Sequence, residues 1–243
     1  MTAMWTDVID LRDFYDSSLG QTARRLIRRQ LRLIWPDVGG QNVLGLGFAT
    51  PYLRLFQDEA QRVLAAMPSS QGVLQWPADG LGLTCLSDEA DLPFPDRSMD
   101  RVLLVHGLES TEQVRPTLRE VWRVLADGGR LLVVAPNRRG IWATLDNTPF
   151  GQGRPYTPGQ LNRLLRDNMF NPLQTAHALF VPPVRSRMIL RSAMAWEEIG
   201  GRWFTTFAGV LLVEAAKQIY GGSAVRDLTE KERRYVAAPQ GFR

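Results

Sequence analysis

The sequence is short of the residues that build covalent or metal-held frameworks. Among 243 residues there is one cysteine, Cys85. An intrachain disulfide is therefore excluded, a thiolate metal cage is excluded, and a reducing compartment is the natural expectation. Two histidines, His106 and His177, are too few for a histidine-rich metal centre. Lysine is nearly absent, with only Lys217 and Lys231, so the net charge of +4 is carried by arginine. So small an excess argues little for a polyanionic partner. Long apolar runs are missing too. The longest stretch, Trp203 to Ala216, is interrupted by Thr205, Thr206 and Glu214, and a membrane span needs about 20 apolar residues. Met1 to Asp7 shows neither the basic start nor the apolar run of a secretory signal. The expectation is a soluble, cytoplasmic protein with no membrane and no nucleic-acid partner.

What is present is core material. Hydrophobic residues make up 44% of the chain, enough to bury a full interior without staples. Helical spacing of Leu19, Ala23, Leu26, Ile27, Gln30, Leu33 and Ile34 predicts one long helix from about Leu11 to Trp35. Arg24, Arg25, Arg28, Arg29 and Arg32 fall mostly on its other side and read as a solvated face. A strand is expected from Asn42 to Phe48, then a helix capped by Thr50-Pro51 and ending near Glu59. Further strands are expected at Arg62–Met67, Leu83–Leu86, Asp100–Val105, Arg130–Ala135, Leu173–Val181 and Phe207–Ala216. A helical turn over Gly72–Trp76 and helices over Thr111–Leu125, Gly159–Asn168 and Ser186–Ile199 fall between them.

Strands that alternate with helices imply an α/β, doubly wound, mostly parallel sheet of seven strands with helices on both faces. Residues 1–220 read as one domain, with 1–40 as a helical extension packed on it, and 221–243 as a polar tail. In such sheets ligands bind beyond the carboxyl ends of the strands.

Three stretches at those ends carry a resemblance: Asp88-Glu-Ala-Asp-Leu-Pro-Phe-Pro-Asp-Arg-Ser-Met-Asp-Arg-Val102, Leu104-Val-His-Gly-Leu-Glu109, and the segment from Leu118 through Asp127-Gly-Gly129 to Asn137. With Asn42 to Tyr52 they resemble the class I S-adenosylmethionine-dependent methyltransferases, in the branch called type 11. The resemblance implies a Rossmann-like methyltransferase fold, S-adenosyl-L-methionine as cofactor and methyl transfer to a small molecule.

By position it implies cofactor contacts from Gly45, Gly47, Ala49, Met67, Asp88, Glu89 and His106. His106 is also the one weak catalytic candidate, as a base or an acceptor-orienting group, against the plainer role of a hydrogen-bonded lining residue. Arg138, Trp142, Arg154 and Tyr156, in the long loop after the fifth strand, are the substrate-binding candidates, and no metal is expected.

The family pattern is altered at key positions. Gly45 replaces the first acidic residue, Ala49 and Pro51 replace two glycines, and Met67 stands where a ribose-binding carboxylate belongs. Hydrogen bonds to a charged group contribute about 1.5–3 kcal/mol each, so losing a ribose pair costs about 3–6 kcal/mol. That is a loss of roughly 10²–10⁴ in affinity. A second reading follows: a non-catalytic pseudoenzyme on the same fold, serving as a binding or regulatory subunit. Its partner would be a protein rather than a small-molecule acceptor, in a homo- or hetero-oligomer.

Overall fold

A computed structural model describes residues 7–219. The polar tail expected from residue 221 lies outside the described residues.

Seven strands form one sheet in the order β3-β2-β1-β4-β5-β7-β6. They are β1 (Asn42–Gly47), β2 (Arg62–Pro68), β3 (Thr84–Ser87), β4 (Met99–Val105), β5 (Leu125–Pro136), β6 (Phe170–Ala178) and β7 (Val210–Lys217). The first five pair in parallel, and β7 runs antiparallel to both β5 and β6. The doubly wound, mostly parallel expectation is borne out. The parallel strands are almost continuously buried, as a sheet covered on both faces requires.

One core layer joins α1 (Val8–Asp16), α2 (Ser18–Ile34) and the short α3 (Thr50–Leu53) to one face of the sheet through Leu26, Ile27, Trp35, Tyr52 and Phe56. The other joins α4 (Val114–Val124) and α5 (Pro158–Asp167) to the opposite face through Leu118, Val121, Leu161 and Leu165. Two further helices, α6 (Arg187–Arg191) and α7 (Ala193–Trp203), lie between β6 and β7 in sequence. No helix among the described residues is long and apolar enough to cross a membrane.

Several boundaries differ from the sequence expectation. The single helix of Leu11–Trp35 is two. Ser17 adopts an extended backbone, ends α1 and caps α2 by accepting the Gly20 N–H at 3.1 Å. Continuous helical periodicity hid a local side-chain bond that competes with the helix. The helix after β1 stops at Leu53, and Ala49, not Thr50, is its N-cap residue. Gly72–Trp76 forms no helical turn. The helix expected over Ser186–Ile199 is also split, at Ser192. The helix opened by Thr157-Pro158 carries the expected start: Thr157 and Gln160 exchange side-chain and backbone bonds in a capping box.

Buried polar groups tie distant parts of the chain together. Glu214 on β7 accepts the Trp35 indole N–H at 3.0 Å and the Gln174 amide at 2.8 Å. Asn137, at the end of β5, donates to the Thr206 and Ala208 carbonyls at 2.9 and 2.8 Å. Lys217 is buried, donates to the Leu125 carbonyl at 2.6 Å and lies 4.1 Å from the Trp122 ring centre.

Candidate active site

The carboxyl ends of β1, β2, β3 and β4 converge on one edge of the sheet, where the order of the strands turns back on itself. Gly47 closes β1 at φ +75, opposite Val105 of β4. A Cβ at this position would lie 2.3 Å from the Val105 carbonyl oxygen and 3.1 Å from the Gly107 nitrogen. Glycine is therefore needed twice over, for the left-handed backbone and for close passage past β4. Ala49 follows at φ −86, a conformation that costs an alanine nothing.

The next residue after β4, His106, sits at φ +50. A left-handed histidine costs roughly 1–3 kcal/mol and persists only where surrounding contacts hold it. Those contacts are visible. Gln71, in the loop after β2, donates its side-chain amide to the His106 carbonyl and lies 3.2 Å from the Ser110 hydroxyl. The His106 Nε2 lies 2.8 Å from the Tyr15 hydroxyl, which is itself 2.8 Å from the Tyr52 hydroxyl. On the other side of the ring, Nδ1 lies 3.3 Å from the Glu109 carboxylate. Both Glu109 side-chain oxygens are buried and lack a hydrogen-bond donor among the described residues, and the His106 ring is the polar group that lies against them.

Tyr15 comes from α1, and that helix covers the strand ends. Its first amide donates to the Gln71 carbonyl at 2.8 Å. The Tyr15 ring stacks on Phe48 with centres 5.8 Å apart, and Phe14 meets Phe150 edge-on at 6.1 Å. Phe150 in turn lies 4.8 Å from the His106 ring. Burial drives the Tyr15 phenol well above its ordinary range, with the Tyr52 and Glu109 neighbours adding to the effect. Tyr52 is also raised by burial.

The predicted cofactor positions fall along this edge, but their side chains have other occupations. Met67 is 1% exposed, and its sulfur lies 3.4 Å from the Leu74 amide nitrogen. Asp88 is exposed and accepts the Ala90 amide within its own turn. Glu89 accepts the Thr111 hydroxyl at 2.9 Å. Gly45 packs against Ala49 and Leu53 within the β1–α3 unit.

An adenosyl cofactor needs an open strip beside Gly47 and an acceptor for its ribose hydroxyls at the end of β2. Here Phe48, Tyr15, Tyr52 and His106 pack together beside Gly47, and Met67 at the end of β2 is buried.

The long loop behaves in two ways. Trp142 is 1% exposed, donates to the Val181 carbonyl at 2.8 Å and packs on Gly209, so it faces the interior. Tyr156 is half-buried, and its hydroxyl bonds the Leu108 carbonyl at 3.3 Å, next to the His106 segment. Burial raises the Tyr156 phenol as well. The backbone N–H of Arg154 donates to the Glu109 carbonyl at 2.8 Å, while the Arg138 guanidinium bonds the Pro155 carbonyl. Beyond the end of β5, a hollow of 180 Å³ is lined by Asn137, Arg139, Pro158, His177, Thr205 and Thr206.

Sequence reasoning singled out His106 and marked the strand-end stretches that hold Gln71 and Glu109, without giving either a role, but it missed Tyr15 and Tyr52. Both tyrosines lie in helical segments whose pattern gives no sign of a polar contact across the fold.

Comparison with known proteins agrees with this fold. A family model described as a methyltransferase domain matches residues 40–133. A demethylmenaquinone methyltransferase from Thermus thermophilus is 29% identical over 126 residues, covering 51% of this chain and 50% of that protein. One from Corynebacterium efficiens is 31% identical over 133 residues, covering 55% and 58%. The chain thus spans only about half the length of these relatives.

Among solved structures, a SAM-dependent methyltransferase from Thermotoga maritima superposes with a TM-score of 0.60 at 15% identity, covering 90% of this chain and all of that one. A chain of the Haloferax volcanii complex between the Trm112 methyltransferase activator and a methyltransferase gives 0.62 at 15% identity, covering 88% and 96%. The [4+2]-cyclase SpnF gives 0.57 at 23% identity, covering 82% of each chain. Residues 40–133 thus resemble a methyltransferase domain, the chain has the fold of solved SAM-dependent methyltransferases, and S-adenosylmethionine is the cofactor that this likeness implies.

Proposed function

We propose that this chain methylates a small, apolar acceptor, and that α1 is the door to its cleft. The observation that carries the reading is the buried Glu109–His106–Tyr15 chain at the end of β4. A carboxylate beside Nδ1 orients the imidazole, and Nε2 is then left to exchange a proton with whatever hydroxyl faces it. In the closed arrangement that hydroxyl belongs to Tyr15. With α1 withdrawn, the hydroxyl of an acceptor takes its place, and His106 receives the acceptor's proton. The aromatic lining from Phe48, Tyr52 and Phe150 suits a flat apolar molecule. The naming of the Thermus and Corynebacterium relatives for demethylmenaquinone makes its reduced, hydroxyl-bearing quinol form the first acceptor to test.

Calorimetry with S-adenosylhomocysteine on the full chain, repeated on Tyr15→Ala, tests this reading. The substitution removes both hydroxyl contacts and the stacking on Phe48, and it weakens closure. We expect weak binding by the parent chain and at least about tenfold tighter binding by the variant, because a closed majority state lowers apparent affinity in proportion. Transfer of labelled methyl to pre-reduced demethylmenaquinol is then expected to fall in His106→Ala and Glu109→Gln. If neither the parent nor Tyr15→Ala binds the nucleoside, the catalytic reading fails. A non-catalytic binding or regulatory subunit on the same fold then replaces it.

A further inference from the structure

Helices α6 and α7 and the turn after them leave an apolar surface open among the described residues. Met188 is 81% exposed and Trp203 70%, with Trp196, Ile199, Phe204 and Phe207 also exposed. Arginines punctuate the same segment at 185, 187, 191 and 202. Of its two acids, Glu198 is exposed, while Glu197 is turned inward and accepts the Phe180 amide at 2.7 Å, leaving arginine in excess. The face is therefore both aromatic and basic.

It continues onto α2, which packs against α6 and α7. The Arg29 guanidinium lies 4.0 Å from the Met194 sulfur. One turn earlier, Arg25 borders a groove of 390 Å³ lined by Ser18, Gln21, Thr22, Arg24, Arg25 and Arg28. Partial burial and the charges of Arg24, Arg54 and Arg32 all disfavour the Arg28 cation, and no carboxylate among the described residues lines the groove to offset them.

We propose that this continuous surface docks on an anionic lipid membrane. Tryptophan and phenylalanine would enter the interfacial layer, and the α2 groove would hold phosphate headgroups. Aromatic residues alternating with arginine match the composition of interfacial helices. Anionic headgroups supply the charge that the arginines lack. A second copy of the chain would set arginine against arginine and is disfavoured on charge. The arginine stripe that reads in the sequence as a solvated face thereby acquires a ligand. The exposed α6 and α7 residues are not among those around His106, so their substitution reads membrane docking separately from methyl transfer, whereas the charge of Arg24 also acts on Tyr15 and Tyr52, and that of Arg28 on Tyr52.

The test is co-sedimentation of the full chain with vesicles of phosphatidylcholine alone and of phosphatidylcholine mixed with phosphatidylglycerol. Binding to the mixed vesicles, weakened by salt, is expected. It should weaken at least about tenfold in Trp203→Ser/Phe204→Ser and in Arg187→Glu/Arg191→Glu. Arg24→Gln/Arg28→Gln tests the groove separately, with a smaller loss expected. Brominated lipid should quench tryptophan emission of the unsubstituted chain, a readout that needs no variant.

The proposal is overturned if the chain ignores both vesicles, or if binding is unchanged by both exposed substitution pairs. It is equally overturned if light scattering shows a dimer that Trp203→Ser/Phe204→Ser disperses, or if an acidic protein occupies the face and displaces it from vesicles.

Discussion

Tyr15 is the residue on which the closed cleft turns. Its hydroxyl satisfies both Tyr52 and His106 in a place without water access, and hydrogen bonds left unmade there are expensive. Tyr15→Phe should therefore destabilise the protein by about 1–3 kcal/mol, read as a lower urea midpoint at neutral pH. The alkaline side has a definite sign. Burial raises the phenols of Tyr15 and Tyr52 above the ordinary value near 10. Above that pH the unfolded chain releases protons that the native state keeps. Stability is therefore complete below about pH 10 and falls as pH rises further. In Tyr15→Phe this alkaline fall should be shallower, since one of the two contributing phenols is gone. An equal slope in parent and variant would show that Tyr15 does not titrate with unfolding.

At the scale of elements, α1 is the short piece that decides whether the strand ends are reachable. It has nine residues, and isolated helices of that length are marginal in water. Its order comes from docking: the Val8 amide on Gln71, the Tyr15 contacts and the Phe14 edge on Phe150. Ser17 sets its angle to α2, donating to the Phe14 carbonyl at 2.6 Å while capping α2. Ser17→Ala should cost about 1 kcal/mol. In native-state hydrogen exchange, the amides of α1 should open faster in this variant, with β1 and β4 unchanged. Faster exchange spread evenly through the sheet would contradict a separately opening helix. The long run of helical periodicity from residue 11 onward was legible in the sequence. The break at Ser17 was not, because a serine inside an amphipathic pattern reads as a tolerated polar position until its cap bond is seen.

At the scale of the whole molecule, a buried hydrogen bond ties the N-terminal helices to the C-terminal strand. Trp35, at the close of α2, reaches Glu214 on β7 across the interior. Glu214 also holds Gln174 on the edge strand β6. Trp35→Phe keeps most of the apolar volume but removes a donor from a buried carboxylate. The expected cost is about 1–3 kcal/mol, seen as a lower thermal and urea midpoint with an unchanged fold by circular dichroism. A neutral result would mean that Gln174 alone satisfies the carboxylate.

The sequence by itself determined the layered α/β fold and its resemblance. Alternating buried runs and amphipathic helices leave few arrangements other than a mostly parallel, doubly covered sheet. Strand ends could be marked in advance as the functional edge, and His106 with them. Tertiary structure alone decided what fills that edge. Tyr15 and Tyr52 are 37 residues apart, and Tyr15 and His106 are 91 apart. No local pattern records that these three meet. Likewise, Met67 could be read as a missing carboxylate, but only the structure shows that its side chain is buried at the end of β2. The physical reason is that local sequence fixes periodicity and backbone preference, whereas a closed cleft depends on which distant side chains compete for the same space.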